Sequence, residues 1–251
     1  MYHVTEIGGG VVQTAGEGFH LSIPPTPADR YADAQISSYR TRADFTCQPP
    51  LRMTIRAWMP DGMAVGTAGF GFWNHPFVPG ERGFRLPQAV WFFFGSPPNE
   101  MRLALDVPGA GWKCATIDAT RPAFLALLPT APLGFLLMRI PPLYRRLWPL
   151  AQRALGVSEH ALDPALLREP HTYTLEWLPG KAVFSVDGRV VHRAQAAPRG
   201  LLGFIAWIDN QYAVVTAQGR FGFGLVEVAQ TQTLVIEQVR VEPGRVLVDS
   251  R

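Results

Sequence analysis

The chain has 251 residues, 47% of them apolar, with 23 prolines, 24 glycines and a formal net charge of +3. That length suits one large domain or two small ones with a sizeable core, and all-β sandwiches of this size are commonly single domains. The charge is mild, Lys occurs only at 113 and 181, and no basic stripe with interleaved aromatics is present, so no nucleic-acid partner is expected.

The N-terminal residues MYHVTEIGGGVVQ lack the basic start and apolar stretch of a secretory signal, which points to a cytoplasmic location. Gly8-Gly9-Gly10 reads as a flexible lead into the first strand. From there to about residue 118, short alternating or apolar runs are bounded by Pro and Gly, as strands are. They are VVQTAGEGFHLSIP, YADAQISSYR, PLRMTIRAWMP, TAGFGFWN, AVWFFFGS and MRLALDV. Cys47 and Cys114 lie far apart and form no C-x-x-C, so two free thiols are expected, with one disulfide as the alternative.

Residues 119–169 break the pattern and predict a helical insertion. Pro122 to Met138 is free of charge, and Leu143, Leu147, Leu150, Ala151, Ala154 and Leu155 recur at helical spacing. Gly156 can end that helix, and Ser158 and Asp163-Pro164 are good helix starts. Residues 170–251 return to strands, including LLGFIAWIDNQYAVVT and the cleanly alternating LVIEQVRVE. Neither β-block can stand alone, so the two pair into one sandwich spanning 1–251, with the insertion over one side.

The stretch HTYTLEWLPGKAVFSVDGRVV, His171 to Val191, carries the sharpest signal. Tyr173, Leu175 and Trp177 alternate with Thr172, Thr174 and Glu176, and Phe184 and Val186 alternate with Val183 and Ser185. Pro179-Gly180 and Asp187-Gly188 are turn signals between strands. This "Y-x-x-x-W … F-x-V-D-G" hairpin resembles that of concanavalin-like jelly rolls, including laminarinase-type family 16 glycoside hydrolases and laminin-G-like modules. Leu234 to Glu242 is similar to the family 16 final strand at Ile236, Val239, Arg240 and Val241. Gly69-Phe70-Gly71-Phe72-Trp73 is similar to a Gly-aromatic strand that precedes the catalytic one. The resemblance implies an all-β, concanavalin-like antiparallel β-sandwich.

Family 16 enzymes carry their acids on one strand as E-x-D-x-E or E-x-D-x-x-E, so that a period of two turns them to one face. No such motif occurs here, and the strand in the matching place, Pro87 to Phe94, has no acid. The six His residues form no metal-spaced pair, no Asp-rich loop marks a calcium site, and there is no Walker loop, GxSxG or GxGxxG in a β–α setting. Neither metal nor cofactor is expected.

Three candidates remain. Trp91 and Phe93 share one strand face and Phe92 and Phe94 the other; one pair lines a groove, or both are core. Trp207, Asp209, Asn210 and Gln211 set polar groups beside an aromatic, as a ligand pocket does or as a polar turn does. Trp73, Asn74 and His75 form a similar cluster. If the two clusters face one another, His75 beside Asp209 becomes an acid–base residue. The site expected is therefore Trp73, Asn74, His75, Trp91, Phe93, Trp207, Asp209, Asn210 and Gln211, on a concave sheet face, taking a small-molecule, apolar or glycan-like ligand. A divergent hydrolase using Glu100, Asp106 or Asp209 is the alternative.

The third candidate is the insertion. No acid lies between Asp118 and Glu159, while Arg121, Arg139, Arg145, Arg146 and Arg153 do. Prolines at 122, 129 and 132 divide the apolar run too finely for a bilayer span. The expectation is a lid burying the run on the sheet. A membrane or partner surface would instead leave Phe124, Leu127, Leu128, Phe135 and Leu136 exposed.

Overall fold

The computed structural model describes residues 2–62, 64–76, 83 and 85–244. Two seven-stranded antiparallel sheets pack face to face. Sheet A runs, edge to edge, β1 (His3–Ile7), β4 (Asp33–Ser37), β13 (Gly203–Asp209), β6 (Thr67–Trp73), β7 (Gln88–Gly95), β8 (Gly111–Asp118), β9 (Ser158–Ala161). Sheet B runs β12 (Arg189–Ala194), β11 (Lys181–Val186), β10 (His171–Leu178), β5 (Leu51–Trp58), β16 (Gln232–Pro243), β3 (Gly18–Ile23), β2 (Val11–Ala15). A further hairpin, β14 (Gln211–Val215) with β15 (Phe221–Leu225), leaves the end of β13. Both sheets draw strands from both ends of the chain.

Alternation decides which side chains become core. Phe70 and Phe72 of β6, Phe92 and Phe94 of β7, and Trp112 of β8 point between the sheets. There they meet Tyr173 and Trp177 of β10 and Phe184 of β11. These rings are almost wholly buried, and Tyr173 meets Phe92 and Trp112 edge-to-face, which sets a positive ring edge against a neighbour's negative face. Two of the buried polar tips are met locally: Trp177 Nε1 donates to the Pro198 carbonyl at 2.8 Å and Tyr173 donates to the Leu166 carbonyl at 2.9 Å.

The hairpin reading of 171–191 holds in register. Leu178 pairs with Lys181 across Pro179-Gly180, and Val186 pairs with Arg189 across Asp187-Gly188. Asp187 and Gly188 both take positive φ, as a primed two-residue turn between twisted strands requires. The expectation for Gly8-Gly9-Gly10 is corrected. β1 already precedes them, and they form the turn by which the chain leaves sheet A for sheet B. A Cβ at Gly8 would lie 1.9 Å from the Tyr31 carbonyl oxygen.

The insertion contains α1 (Pro122–Leu127), α2 (Ala131–Leu137) and α3 (Pro141–Ala154). Gly156, with φ of +64°, ends α3 as expected. The boundary at 169 is corrected. Ser158 opens β9, which extends sheet A beside β8, and Pro164–Leu167 is a 3-10 turn whose Leu167 enters the main core. Both buried cysteines are free thiols.

Candidate functional site: an aromatic strip between two polar ends

The second face of sheet A, turned away from sheet B, carries its own aromatic layer. Trp73, Trp91, Phe93, Ile205 and Trp207 pack together there with Met101. The register explains the gathering: Gly69 lies between Trp207 and Phe93, and Gly71 between Ile205 and Trp91. A Cβ at Gly69 would come within 2.9 Å of the Trp207 ring, and one at Gly71 within 2.6 Å of the Trp91 Cβ. Absence of side chains on β6 is thus what lets indoles from both neighbours lean over it. Trp207 lies 5.5 Å from Trp91 and 6.5 Å from Trp73, the latter nearly parallel at 7°. Trp207 and Phe93 are buried, whereas Trp73 and Trp91 keep part of their surface in solvent.

At one end of the strip, His75 stacks on Trp73 at 4.6 Å and 16°, and Trp73 Nε1 donates to the Tyr39 hydroxyl. His75 takes a positive φ, and its carbonyl is gripped by the Arg42 guanidinium. Asn74 is spent on the backbone: it accepts from Gln88 N at 3.0 Å and donates to the Leu86 carbonyl at 2.8 Å, closing the loop after β6.

At the other end sit two carboxylates. Asp209 and Asp33 are direct partners across the β13–β4 ladder, so their side chains emerge on the same face. Asp209 accepts from the Thr67 hydroxyl at 2.7 Å, and that hydroxyl accepts from Trp207 Nε1 at 2.9 Å, linking acid to aromatic strip. Burial first, then the Asp209 charge, pushes Asp33 up to about 8, although the Tyr31 hydroxyl bonded to it works against the shift. Burial also raises Asp209, to about 6, against the hydrogen bonds from Thr67 and Gln211. Asp33 Oδ1 is buried with no protein partner. Two acids that cannot both ionise cheaply hold a proton near neutrality.

A third buried polar group braces the strip. Lys113 and Glu159, both 2% exposed, pair at 2.8 Å on the same face of β8 and β9. Lys113 also donates to the carbonyls of Met101, Pro108 and Gly109, and Glu159 accepts from the N–H groups of Leu103 and Ala104. This corrects the expected strand at MRLALDV. Its backbone donors turn to a carboxylate instead of a neighbouring strand, and it forms a loop stapled over sheet A, bringing Met101 onto Phe93.

The aromatic members of the expected site are brought together, but its two polar clusters are not. β6 and β13 are antiparallel: Trp73 pairs with Gly203, and Asp209 pairs with Thr67. Asn74 and His75 therefore stand about 20 Å from Asp209, six residues of strand away. An acid–base pairing of His75 with Asp209 is excluded. Asn210 is fully buried and structural, bonded to Ala32 N, the Arg30 carbonyl and the Val226 carbonyl. Gln211 is exposed at the start of β14. Of the other acids weighed, Glu100 pairs with Arg102 at 3.5 Å in a separate cleft beside Tyr144, and Asp106 is exposed on the stapled loop.

Sequence reasoning missed Asp33, Tyr31, Tyr39 and Thr67. In YADAQISSYR, Ala34 and Ile36 alternate with Asp33, Gln35 and Ser37, so the outer-face position of Asp33 could be read. Its partner could not, because register between positions 33 and 209 leaves no trace in local pattern.

The lid expectation is also corrected. α1 and α2 bury no residue. Helix α3 rests on the stapled loop, not the sheet: Trp148 donates to the Leu103 carbonyl at 3.1 Å and packs with Leu105, Met138 and Ala217. The charge-free run is left with Leu125, Leu127, Leu128, Leu133 and Leu136 exposed. No helix among the described residues is long and apolar enough to cross a membrane.

Neither the known family models nor curated proteins match the chain. Solved structures do. The GlcNAcα1-4Gal-releasing endo-β-galactosidase from Clostridium perfringens superposes with a TM-score of 0.53 at 14% identity, over 95% of this chain and 57% of that one. This chain thus spans little more than half of that relative's length. An endo-acting O-glycanase of the human gut microbiota, studied in mucin breakdown, superposes at 0.54 with 9% identity, over 98% of this chain and 92% of that one. The fold is a concanavalin-like jelly roll. At these identities the likeness is one of fold alone.

Proposed function

We propose that the outer face of sheet A binds a glycan across Trp73, Trp91 and Trp207. The observation that carries this is the aromatic strip itself, two of whose indoles stay partly open while polar groups stand at both of its ends. A sugar ring offers an apolar face to an indole and hydroxyls around its rim, so it can stack on the strip and hydrogen-bond to the part-exposed Gln35. A purely apolar ligand would leave that amide without exchange for its lost water. The glycanase neighbours use the same fold, which supports the reading.

The test is a titration of intrinsic tryptophan fluorescence, with affinity electrophoresis, against soluble β-glucans, galactans and mucin-type O-glycans. Trp91→Ala is expected to weaken binding at least about tenfold, in line with the loss of one well-placed aromatic contact, while circular dichroism stays that of the parent. Absence of any glycan shift, with an apolar fluorophore displacing nothing else on the strip, would refute it.

One observation favours a second reading. Asp33 and Asp209 form an opposed pair with separated pKa values, the arrangement that assigns one acid and one base. In a hydrolase, protonated Asp33 would donate to the departing glycosidic oxygen, and ionised Asp209 would attack the sugar or activate water. Reducing-sugar release abolished by both Asp33→Asn and Asp209→Asn would establish catalysis. Unchanged release in either variant would leave only binding.

A further inference from the structure

The helical insertion and the β14–β15 hairpin expose more apolar surface than any other part of the described chain. Leu133, Leu136, Ile140 and Leu150 are 59%, 56%, 50% and 55% exposed, and on the hairpin Phe221 is 64% and Phe223 90% exposed. The two elements are joined. Phe135 of α2 meets Phe221 edge-to-face at 5.5 Å, and Gly219 sits against the Phe135 ring, where a Cβ would lie 2.9 Å away. Helix α1 packs in turn on α3. Isolated exposed leucines need no explanation, but a connected set of this size does.

Charge decides what can cover it. Between Asp118 and Glu159 the chain has five arginines and no acid, and Arg220 lies at the hairpin tip. Arg139, Arg145, Arg146, Arg153 and Arg220 are all exposed. A second copy would set the five arginines of the insertion against themselves, and the nearby carboxylate, Glu100 in the cleft beside Arg220 and Tyr144, is already paired with Arg102, so a self-complementary interface is disfavoured. An anionic bilayer meets both features: headgroup phosphates face the guanidiniums while leucine and phenylalanine enter the acyl boundary. The helices are 6, 7 and 14 residues long, each starts at or next to a proline, and the longest carries Pro149 within it. Such pieces lie on a surface and do not span it.

We propose that this face, with α1, α2 and the β14–β15 hairpin as its apolar part and the arginines as its rim, docks the protein reversibly onto anionic lipid membranes. The attachment is independent of glycan binding, since neither Trp91 nor the Asp33–Asp209 pair takes part. The apolar contacts set how deeply the face sinks, and the arginines select the lipid.

The experiment is vesicle flotation with the intact chain, using phosphatidylcholine vesicles with and without phosphatidylglycerol. Binding is expected only, or at least about tenfold more strongly, with the anionic lipid, and is expected to fall as salt is raised, since screening shortens the reach of surface charges. Arg145→Glu with Arg146→Glu is expected to lower it by a further tenfold or more, about what two surface charges contribute. Phe221→Ser with Phe223→Ser should weaken binding even at low salt. All four positions are exposed, and circular dichroism with thermal melting checks that each variant folds. Three outcomes overturn the proposal: no flotation with either vesicle, flotation indifferent to lipid charge and to both double variants, or concentration-dependent self-association abolished by Phe221→Ser with Phe223→Ser and no lipid binding.

Discussion

Sheet A carries an aromatic layer on each face, and the two have different fates. Inward, Phe70, Phe72, Phe92, Phe94 and Trp112 are 0–3% exposed and belong to the main apolar core of the sandwich. Outward, Trp73, Trp91, Phe93 and Trp207 form a layer one side chain deep, braced by a stapled loop and open to solvent at Trp73 and Trp91. The inner layer is closed by a second sheet, so its residues answer to packing alone. The outer layer has no second sheet, and indoles whose N–H groups find the Tyr39 and Thr67 hydroxyls replace plain phenyl rings. An aromatic layer kept half open, with polar groups at its margins, is the surface on which the proposed glycan binding rests.

The comparison breaks most directly by truncating one ring on each face of the same strand. Phe92→Ala is expected to destabilise by about 3–5 kcal/mol, the cost of a large cavity in a closed core. Trp91→Ala, one residue away on the open face, should cost about 1–2 kcal/mol, because solvent fills the space it leaves. Urea melts of the two variants measure this, and equal losses would make the outer face a second core.

The brace under the outer layer is tested next. Lys113→Ala leaves Glu159 buried without its cation and frees three loop carbonyls, at an expected cost of about 3–5 kcal/mol. Lys113→Met together with Glu159→Leu removes both charges and should recover much of that loss. A double variant as unstable as the single would show that the bonds to the loop backbone, and not the unpaired charge, dominate.

The last expected effect is a pH dependence set by the polar end. Asp33 and Asp209 are both raised above their ordinary value of 3.8, to about 8 and about 6. Between the unfolded and folded values the native chain binds more protons than the unfolded chain. Stability therefore falls as pH rises from about 4 to about 8 and levels off beyond that. Asp33→Asn should flatten this slope and be the more stable protein at pH 8, read from melting temperatures across the range. A parent whose stability rises over the same window would remove the raised dyad.

How much of this could be read beforehand depends on how local each feature is. The split of Trp91 and Phe93 from Phe92 and Phe94 follows from a period of two within one strand, and it stands. The turn at Asp187-Gly188 follows from the ease with which those residues take positive φ, and it stands too. Asn74 and Asn210, by contrast, have side chains suited to a ligand or to backbone bonds alike, and the loop geometry around them took both for the backbone. MRLALDV has the composition of a strand, but two buried charges from β8 and β9 offered its backbone other partners.

By itself, then, the amino-acid order determined the β-sandwich, the alternating faces of β6, β7 and β13, the helical insertion and the cationic character of that insertion, because each rests on residues a few positions apart. Tertiary structure decided which ends of the strands meet. The antiparallel pairing of β13 with β6 separated His75 from Asp209, and its pairing with β4 set Asp33 against Asp209. It also decided that α1 packs on α3 and α2 on the β14–β15 hairpin, leaving their leucines in solvent. Those outcomes depend on register and docking between segments far apart in the chain, where the energy of one arrangement over another comes from many side chains at once and leaves no mark in any short stretch of sequence.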